Sequence, residues 1–291
     1  MTATVLSNHG VASRQHVGVT QTNADEESLS HSLAAVAGRT SPFDAHPHMV
    51  TRTVGIDCAW FESMANRSKT IEAARMIRGK KRPFFVGVDW EDRTIQILTR
   101  LRAFERLLEF EPGLRGRARF LQIVIDAPCG SSEPPEAVKG IANVAAEINT
   151  RQGTEAWRPV ELRMESLTRE DLVVVYRAAD VMVAAPISDM TPFAHEFVAS
   201  RADGSGALVL GRGTGPATPP RGAVIVDGDD EFAVFLGLRH AAKMTRGEEE
   251  RRMRRLRSCV TAHDVVAWPR GRLESLASAT ASAAPVHLPR D

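Results

Sequence analysis

The stretch "FFVGVDWEDRTIQILTRLRAFERLLE", Phe84 to Glu109, carries three structural signals in succession. "PFFVGVD", Pro83 to Asp89, is a continuous apolar run ended by an acid, which is the pattern of a strand buried on both faces. Gln96 to Glu111 places Ile97, Leu101, Phe104, Leu107 and Leu108 on one helical face, and "EPG" stops it. Between them lies a short loop, Trp90 to Ile95, where a nucleotide-binding fold commonly offers glycine or a cation to phosphate. Here the one glycine sits inside the strand, and Arg93 is the loop's only cation.

Outward from this unit the same alternation repeats. "ARFLQIVID" (Ala118–Asp126), "RPVELRM", "VMVAAP", "GALVLG" and "GAVIVD" read as buried strands. Between them "PPEAVKGIANVAAEINTRQG", "SLTREDLVVVYRAAD", "FAHEFVASRA" and "DDEFAVFLGLRHAAKM" read as helices, and "GEEERRMRRLRSCVTAHDVVAW" adds a last basic helix. Thr168 followed three residues later by Asp171 resembles a capping box at a helix start. Upstream, "MVTRTVGID", ending at Asp57, reads as a short strand, and "AWFESMANRSKTIEAARMIRGK" as one surface helix. The pattern specifies an α/β fold with a doubly wound parallel sheet and right-handed crossovers. In such a sheet ligands bind beyond the carboxyl ends of the strands, at the loops after Asp89, Asp126, Met164, Pro186 and Leu210.

Two flanking segments differ. Residues 1–48 are rich in Ser, Thr, His, Asn and Ala and are expected to be disordered, with one helical hint at Asp25–Gly38. Residues 276–291 are expected to form a loose tail, leaving 49–275 as the folded domain. Lys plus Arg (37) nearly balances Asp plus Glu (36), so no strong field draws the chain to nucleic acid or membrane. The basic run Arg251–Ser258 follows "GEEE" without interleaved aromatics, as in a solvated, salt-bridged helix. Cys58, Cys129 and Cys259 match no metal-ligand spacing, and His46 and His48 lack a nearby third ligand. No apolar run is long enough to cross a membrane and no signal peptide is apparent, so a cytoplasmic protein is expected.

Among the crevice loops, "APISDMTPFAHEF", Ala185–Phe197, feeds a helix whose first N–H groups would meet an anion. Glu196 could accept hydrogen bonds from a ribose and Asp189 from a sugar hydroxyl. By residue type alone, Asp189 as a helix cap and Glu196 as a solvated side chain fit as well. "GRGTGPATPPRG", Gly211–Gly222, fails as a dinucleotide fingerprint because Pro216 stands at the third glycine and no helix follows. No P-loop, H-E-x-x-H or G-x-S-x-G occurs.

Taken in order, these pieces resemble the trehalose-6-phosphate synthase family of retaining glycosyltransferases, which has the two-domain GT-B architecture. "GVDWEDRTIQILTRLRAFERLL" is similar to its G-V-D-R-L-D-Y-[ST]-K-G strand and loop and the helix L-x-A-F-E-x-[FL]-L. "EINTRQGTEAWRPV" is similar to I-N-x-x-[FY]-G-[ST]-x-x-W-x-P-[IV]. "SLTREDLVVVYRAADVMVAAPISDM", "AHEFVASR" and "AHDVVAW" follow in family order. The resemblance covers the C-terminal, donor-binding half; of the N-terminal half only "RTVGIDCAWFE" has a counterpart.

The resemblance implies a Rossmann-like donor domain and a nucleotide sugar, UDP- or GDP-glucose, as ligand, with glucose 6-phosphate as acceptor and no cofactor or metal. It also implies roles for single positions. Trp90 stands at the family's diphosphate-binding Arg, Ile95 at its Lys and Gln96 at its Gly, with Arg93 the possible substitute cation. In the sugar loop Asp189, Met190 and Thr191 take donor-binding positions, but Asp189 lies one position closer to Glu196 than the family spacing. Pro192 removes one backbone N–H that a phosphate oxygen could use. Glu196 keeps the ribose-binding position, and Leu167 and Leu172 match positions beside the base. Two functions follow as expectations. One is a trehalose-6-phosphate synthase-like domain with impaired catalysis. The other is a non-catalytic pseudo-glycosyltransferase that binds nucleotide or another protein chain, such as a full-length synthase.

Overall fold

Side chains alternate across each strand, so a strand with both faces apolar must be covered by helices on both sides. The computed structural model, which describes residues 56–80, 82–125, 135–164, 167–185, 192–212 and 220–262, has this arrangement. Its strands are β1 (Phe84–Trp90), β2 (Arg119–Ile125), β3 (Val160–Met164), β4 (Val181–Ala184), β5 (Ala207–Gly211) and β6 (Val224–Val226). They form one parallel sheet in the order β3-β2-β1-β4-β5-β6. The order reverses between β1 and β4, which places the ligand crevice at the carboxyl ends of those two strands.

The helices are α1 (Cys58–Ala65), α2 (Ser68–Arg78), α3 (Thr94–Phe110), α4 (Pro135–Gln152), α5 (Arg169–Ala178), α6 (Pro192–Ser200), α7 (Glu231–Ala242) and α8 (Arg246–Thr261). Phe84, Val86 and Val88 of β1 pack with α1, α2, α5, α6 and α8 on one face. Phe85 packs with α3, α4 and α7 on the other. Both cores are closed by aromatic contacts, such as Phe85 on Phe104 at 5.4 Å.

The expected single helix after Asp57 is in fact two. Asn66 closes α1 by donating its N–H to Glu62 O, and Arg67 turns extended (φ −66°, ψ 138°) before α2 begins. Nor is α1 a surface helix: Phe61 and Ala65 are buried. Asp57, expected at a strand end, instead caps α1 by accepting from the Trp60 N–H at 2.9 Å. Most of that expected strand, like the arm 1–48 and the tail 276–291, lies outside the described residues.

The motif Glu147–Val160 sets the joint between α4 and β3. The Asn149 side chain accepts from Val160 N at 2.9 Å and donates to Val160 O at 2.8 Å. Trp157 Nε1 donates to Ala118 O at 2.8 Å, tying this joint to the start of β2. These bonds fix how far β3 slides along β2, and therefore where the carboxyl edge of the sheet falls.

Candidate functional site

The crevice edge of β1 is built around a buried charge. Asp89 ends the apolar run and points into the α3 face, where Arg100 meets it with two bonds, Nη1–Oδ2 at 2.5 Å and Nη2–Oδ1 at 3.0 Å. Gln122 of β2 donates to Asp89 Oδ2 at 3.0 Å, and Arg100 Nη1 also donates to Val183 O of β4 at 3.0 Å. A buried pair persists only when its remaining lone pairs and protons find partners, as here. The network joins β1, β2, β4 and α3 across the switch point. It also explains Gly87: a Cβ there would lie 2.4 Å from Gln122 Oε1 and 2.8 Å from Arg100 Nη1. The glycine makes room for side chains of the protein, not for a phosphate.

Past Asp89 the loop offers little to an anion. Trp90 packs its ring on Phe193 of α6, with centroids 4.8 Å apart at 54°. Glu91, Asp92 and Arg93 form a 3-10 turn leading into α3. Two carboxylates, Glu91 and Asp92, thus precede the start of α3, where like charge would oppose a phosphate. Arg93 Nε lies 3.5 Å from Asp92 Oδ1, so its charge is shared with its neighbour. Ile95 projects into solvent, 66% exposed. Gln96 reaches over the edge to donate to Asp229 in the β6–α7 loop at 3.0 Å. Behind it a hollow of about 10 Å³, lined by Gln96, Arg100, Val183, Ala185, Gly211 and Gly228, has room for one water.

The second wall is α6. Phe193, which carries the Trp90 ring, and Glu196 are three residues apart on this helix, and the Glu196 carboxylate turns to α5. Glu196 is 6% exposed, and burial pushes its carboxyl up to about 7 against the opposing pull of Tyr176 and Arg169. Tyr176 Oη donates to Glu196 Oε2 at 3.0 Å, and burial with the neighbouring carboxylate raises that phenol well above its usual range. Arg169 Nη2 stands 3.8 Å from Oε1. Its guanidinium also lies over the rings of Trp60 and Phe61, 5.7 and 5.4 Å from their centroids.

Of the residues the sequence singled out, Trp90 is joined through Phe193 to α6, the helix that carries Glu196, and Arg93 and Ile95 follow Trp90 in the turn and first residues of α3. Leu167 is half-buried before α5, whose cap is the Thr168 hydroxyl accepting from Asp171 N at 3.1 Å. Leu172 is buried in the core, 5% exposed. Asp189, Met190 and Thr191 lie outside the described residues. Sequence reasoning missed Arg100, Gln122, Arg169 and Tyr176. Tyr176 carried one available signal: it is the chain's only tyrosine, on a helix face that is otherwise apolar. Among the described residues no group of His, Cys, Asp and Glu could hold a metal ion, and no helix is long and apolar enough to cross a membrane.

With this geometry in hand, comparison with known proteins is informative. The profile of glycosyltransferase family 20 matches residues 38–278. A trehalose-6-phosphate synthase of Mycobacterium tuberculosis strain H37Rv is 33% identical over 279 residues, which is 92% of this chain and 54% of that protein. The Mycobacterium leprae synthase is 34% identical over 264 residues, 87% of this chain and 52% of its own length. The chain therefore spans about half the length of the curated relatives it matches. Among solved structures, a UDP-forming α,α-trehalose-phosphate synthase from Burkholderia xenovorans, in complex with glucose-6-phosphate, aligns with a TM-score of 0.69. Identity there is 25%, over 77% of this chain and 51% of that one. A Burkholderia multivorans synthase gives 0.69 and 25% over 91% and 60%. The expected doubly wound Rossmann-like sheet is the arrangement this chain shares with them.

Proposed function

The chain belongs to glycosyltransferase family 20, and from that premise we propose that its domain binds the nucleoside part of a sugar nucleotide while lacking the means to hold and release the diphosphate. Complete synthases, as the resemblance implies, move glucose from UDP- or GDP-glucose to glucose 6-phosphate with retention. The bond from glucose C1 to the diphosphate oxygen breaks, the diphosphate departs with the electron pair, and the acceptor hydroxyl oxygen takes its place on the same face as its proton passes to the departing diphosphate oxygen. Stabilising the departing negative charge is the largest demand of that step. The observation that supports the reading is the Trp90–Phe193 contact, an aromatic pair at the position where the resemblance implies a diphosphate-binding cation, made to the same helix that carries Glu196. Without cations at positions 90 and 95 the charge that develops on the leaving group meets Glu91 and Asp92 instead. Catalysis by this domain is thus impaired by several powers of ten.

The test is calorimetric titration with uridine, UDP and UDP-glucose, and with the guanosine series, together with a glucosyl-transfer assay to glucose 6-phosphate. The reading expects each nucleoside and its diphosphate to bind with similar affinity and transfer to be absent. Tight binding that depends on the diphosphate, or measurable transfer, overturns it.

An exposed apolar strip supports a second reading, that of a module which also pairs with another protein chain. Phe110 of α3 and Phe232 and Leu236 of α7 are 62%, 52% and 45% exposed, and Phe110 and Phe232 both lean on Phe235. Contiguous exposed apolar surface of this kind marks interaction sites. Co-elution with a full-length synthase, lost in Phe232→Asp, would support it; independent elution would remove it.

A further inference from the structure

Glu196 has an asymmetry that its place in the crevice does not require. Its Oε2 is engaged inside the protein by the Tyr176 hydroxyl at 3.0 Å, in fully buried surroundings. Its Oε1 faces Arg169 at 3.8 Å, near enough for attraction and too far for a hydrogen bond. Arg169 is kept at that distance by its seat over the Trp60–Phe61 ring pair, itself an edge-to-face contact at 4.9 Å. Among the described residues, one oxygen thereby takes a hydrogen bond and the other is attracted to a cation that does not bond it.

We propose that Tyr176 and Arg169 are positioning residues for Glu196, the phenol locking its rotamer through one oxygen and the aromatic-seated guanidinium holding the other as a charged, open acceptor for the vicinal diol of a nucleoside. The inference rests on the nucleoside reading of the same carboxylate and says how that carboxylate is kept competent. A buried carboxyl left alone would take up a proton and turn from acceptor to donor, no longer able to receive both hydroxyls. The phenol bond and the nearby cation both favour the ionised form against burial. Three other charged groups on the packed elements are held in ion pairs of their own. Glu62 of α1 pairs with Arg257 of α8 at 2.9 Å, Arg177 of α5 with Asp203 at 2.6 Å, and Asp89 of β1 with Arg100. β4 carries no ionisable side chain, and α6 itself adds His195 next in sequence.

The chain's single tyrosine makes the test direct. With tyrosine 13C-labelled in the ring, the full chain gives one tyrosine signal, that of Tyr176. In the absence of ligand this signal should titrate with a midpoint near 7. Glu196→Gln should flatten the profile, which separates Glu196 from His195 as its source. Arg169→Gln should move the midpoint up by about half a pH unit, as expected when an exposed cation is removed. In parallel, uridine binding should strengthen by about tenfold from pH 6 to pH 8. In Tyr176→Phe that rise should move upward by about one pH unit and, with the rotamer lock gone, the high-pH affinity should fall as well; a merely structural tyrosine would lower affinity equally at every pH and leave the midpoint unmoved. A tyrosine signal flat from pH 5 to 9, or unchanged in Glu196→Gln, overturns the proposal. Failure of uridine and guanosine to bind at any pH, with the tyrosine titration as described, removes the nucleoside reading alone and leaves the positioning of Glu196 established.

Discussion

The rings of Trp90 and Phe193 lie 4.8 Å apart and join the end of β1 to the first turn of α6. β1 is one of the two strands that flank the switch point and α6 is the helix that follows the other, β4, and in this chain they meet through apolar surface. Installing charge there should restore anion binding at the expense of packing. The double variant Trp90→Arg/Ile95→Lys is expected to bind UDP at least about tenfold more tightly than uridine, as one or two charge-assisted contacts allow. Loss of the half-buried aromatic contact should lower stability by about 1–2 kcal/mol. Calorimetry and chemical denaturation check the two halves separately.

Asp89 and Arg100 are both buried and bridge β1, β2 and β4. Removing one partner leaves the other charge inside the sheet without compensation. Asp89→Ala should therefore cost about 3–5 kcal/mol of unfolding free energy. Replacing both by apolar residues of similar volume should cost less than Asp89→Ala alone. Urea denaturation of the three proteins decides this.

Thr168 provides a milder case at the surface. Its hydroxyl accepts the Asp171 N–H at the start of α5. Thr168→Ala should lose about 1 kcal/mol, with Thr168→Ser close to wild type. The same denaturation assay applies, and a cost beyond about 2 kcal/mol would mean that the cap also orders Leu167.

Glu196 sets a pH dependence of stability whose sign follows from its raised carboxyl. Below pH 4.5 it is protonated in both native and unfolded chains and contributes nothing. Between there and about 7 the unfolded chain releases the proton first, so the native state binds more protons and stability falls as pH rises. Displacement from 4.5 to about 7 corresponds to about 3 kcal/mol at 1.36 kcal/mol per unit. Glu196→Gln lacks this loss. Its melting temperature should gain on wild type from pH 5 to pH 8, and parallel profiles would contradict the assignment.

How far the sequence carries is visible in particular residues. The sheet could be read because its strands are unbroken apolar runs such as Phe84–Val88, a local pattern that burial on two faces imposes. Helix faces and the Thr168 cap are local too. The break at Asn66–Arg67 was not legible: the apolar spacing continues through it, and only the burial of Phe61 and Ala65 against the core fixes the change of direction. Trp90 and Ile95 could be recognised as misplaced for a phosphate loop, but not where they go. Phe193 is far from Trp90 in sequence, and their contact follows from the strand order. For the same reason Glu196 could be singled out as a candidate, while its burial and its partners Tyr176 and Arg169, brought over from α5, could not. Gly87 could be placed inside the strand, but not the reason for a glycine there, since its space belongs to Gln122 and Arg100 from β2 and α3.

The central claim is that this crevice keeps the nucleoside end of a donor site without the diphosphate end. Calorimetric titration of the intact chain at pH 8 with uridine and with UDP, side by side, measures it most directly. The account expects the two dissociation constants to agree within about threefold, because the diphosphate meets Trp90, Ile95 and an acidic turn. Binding of UDP more than about a hundredfold tighter than uridine, roughly 2.7 kcal/mol from the diphosphate alone, would contradict it.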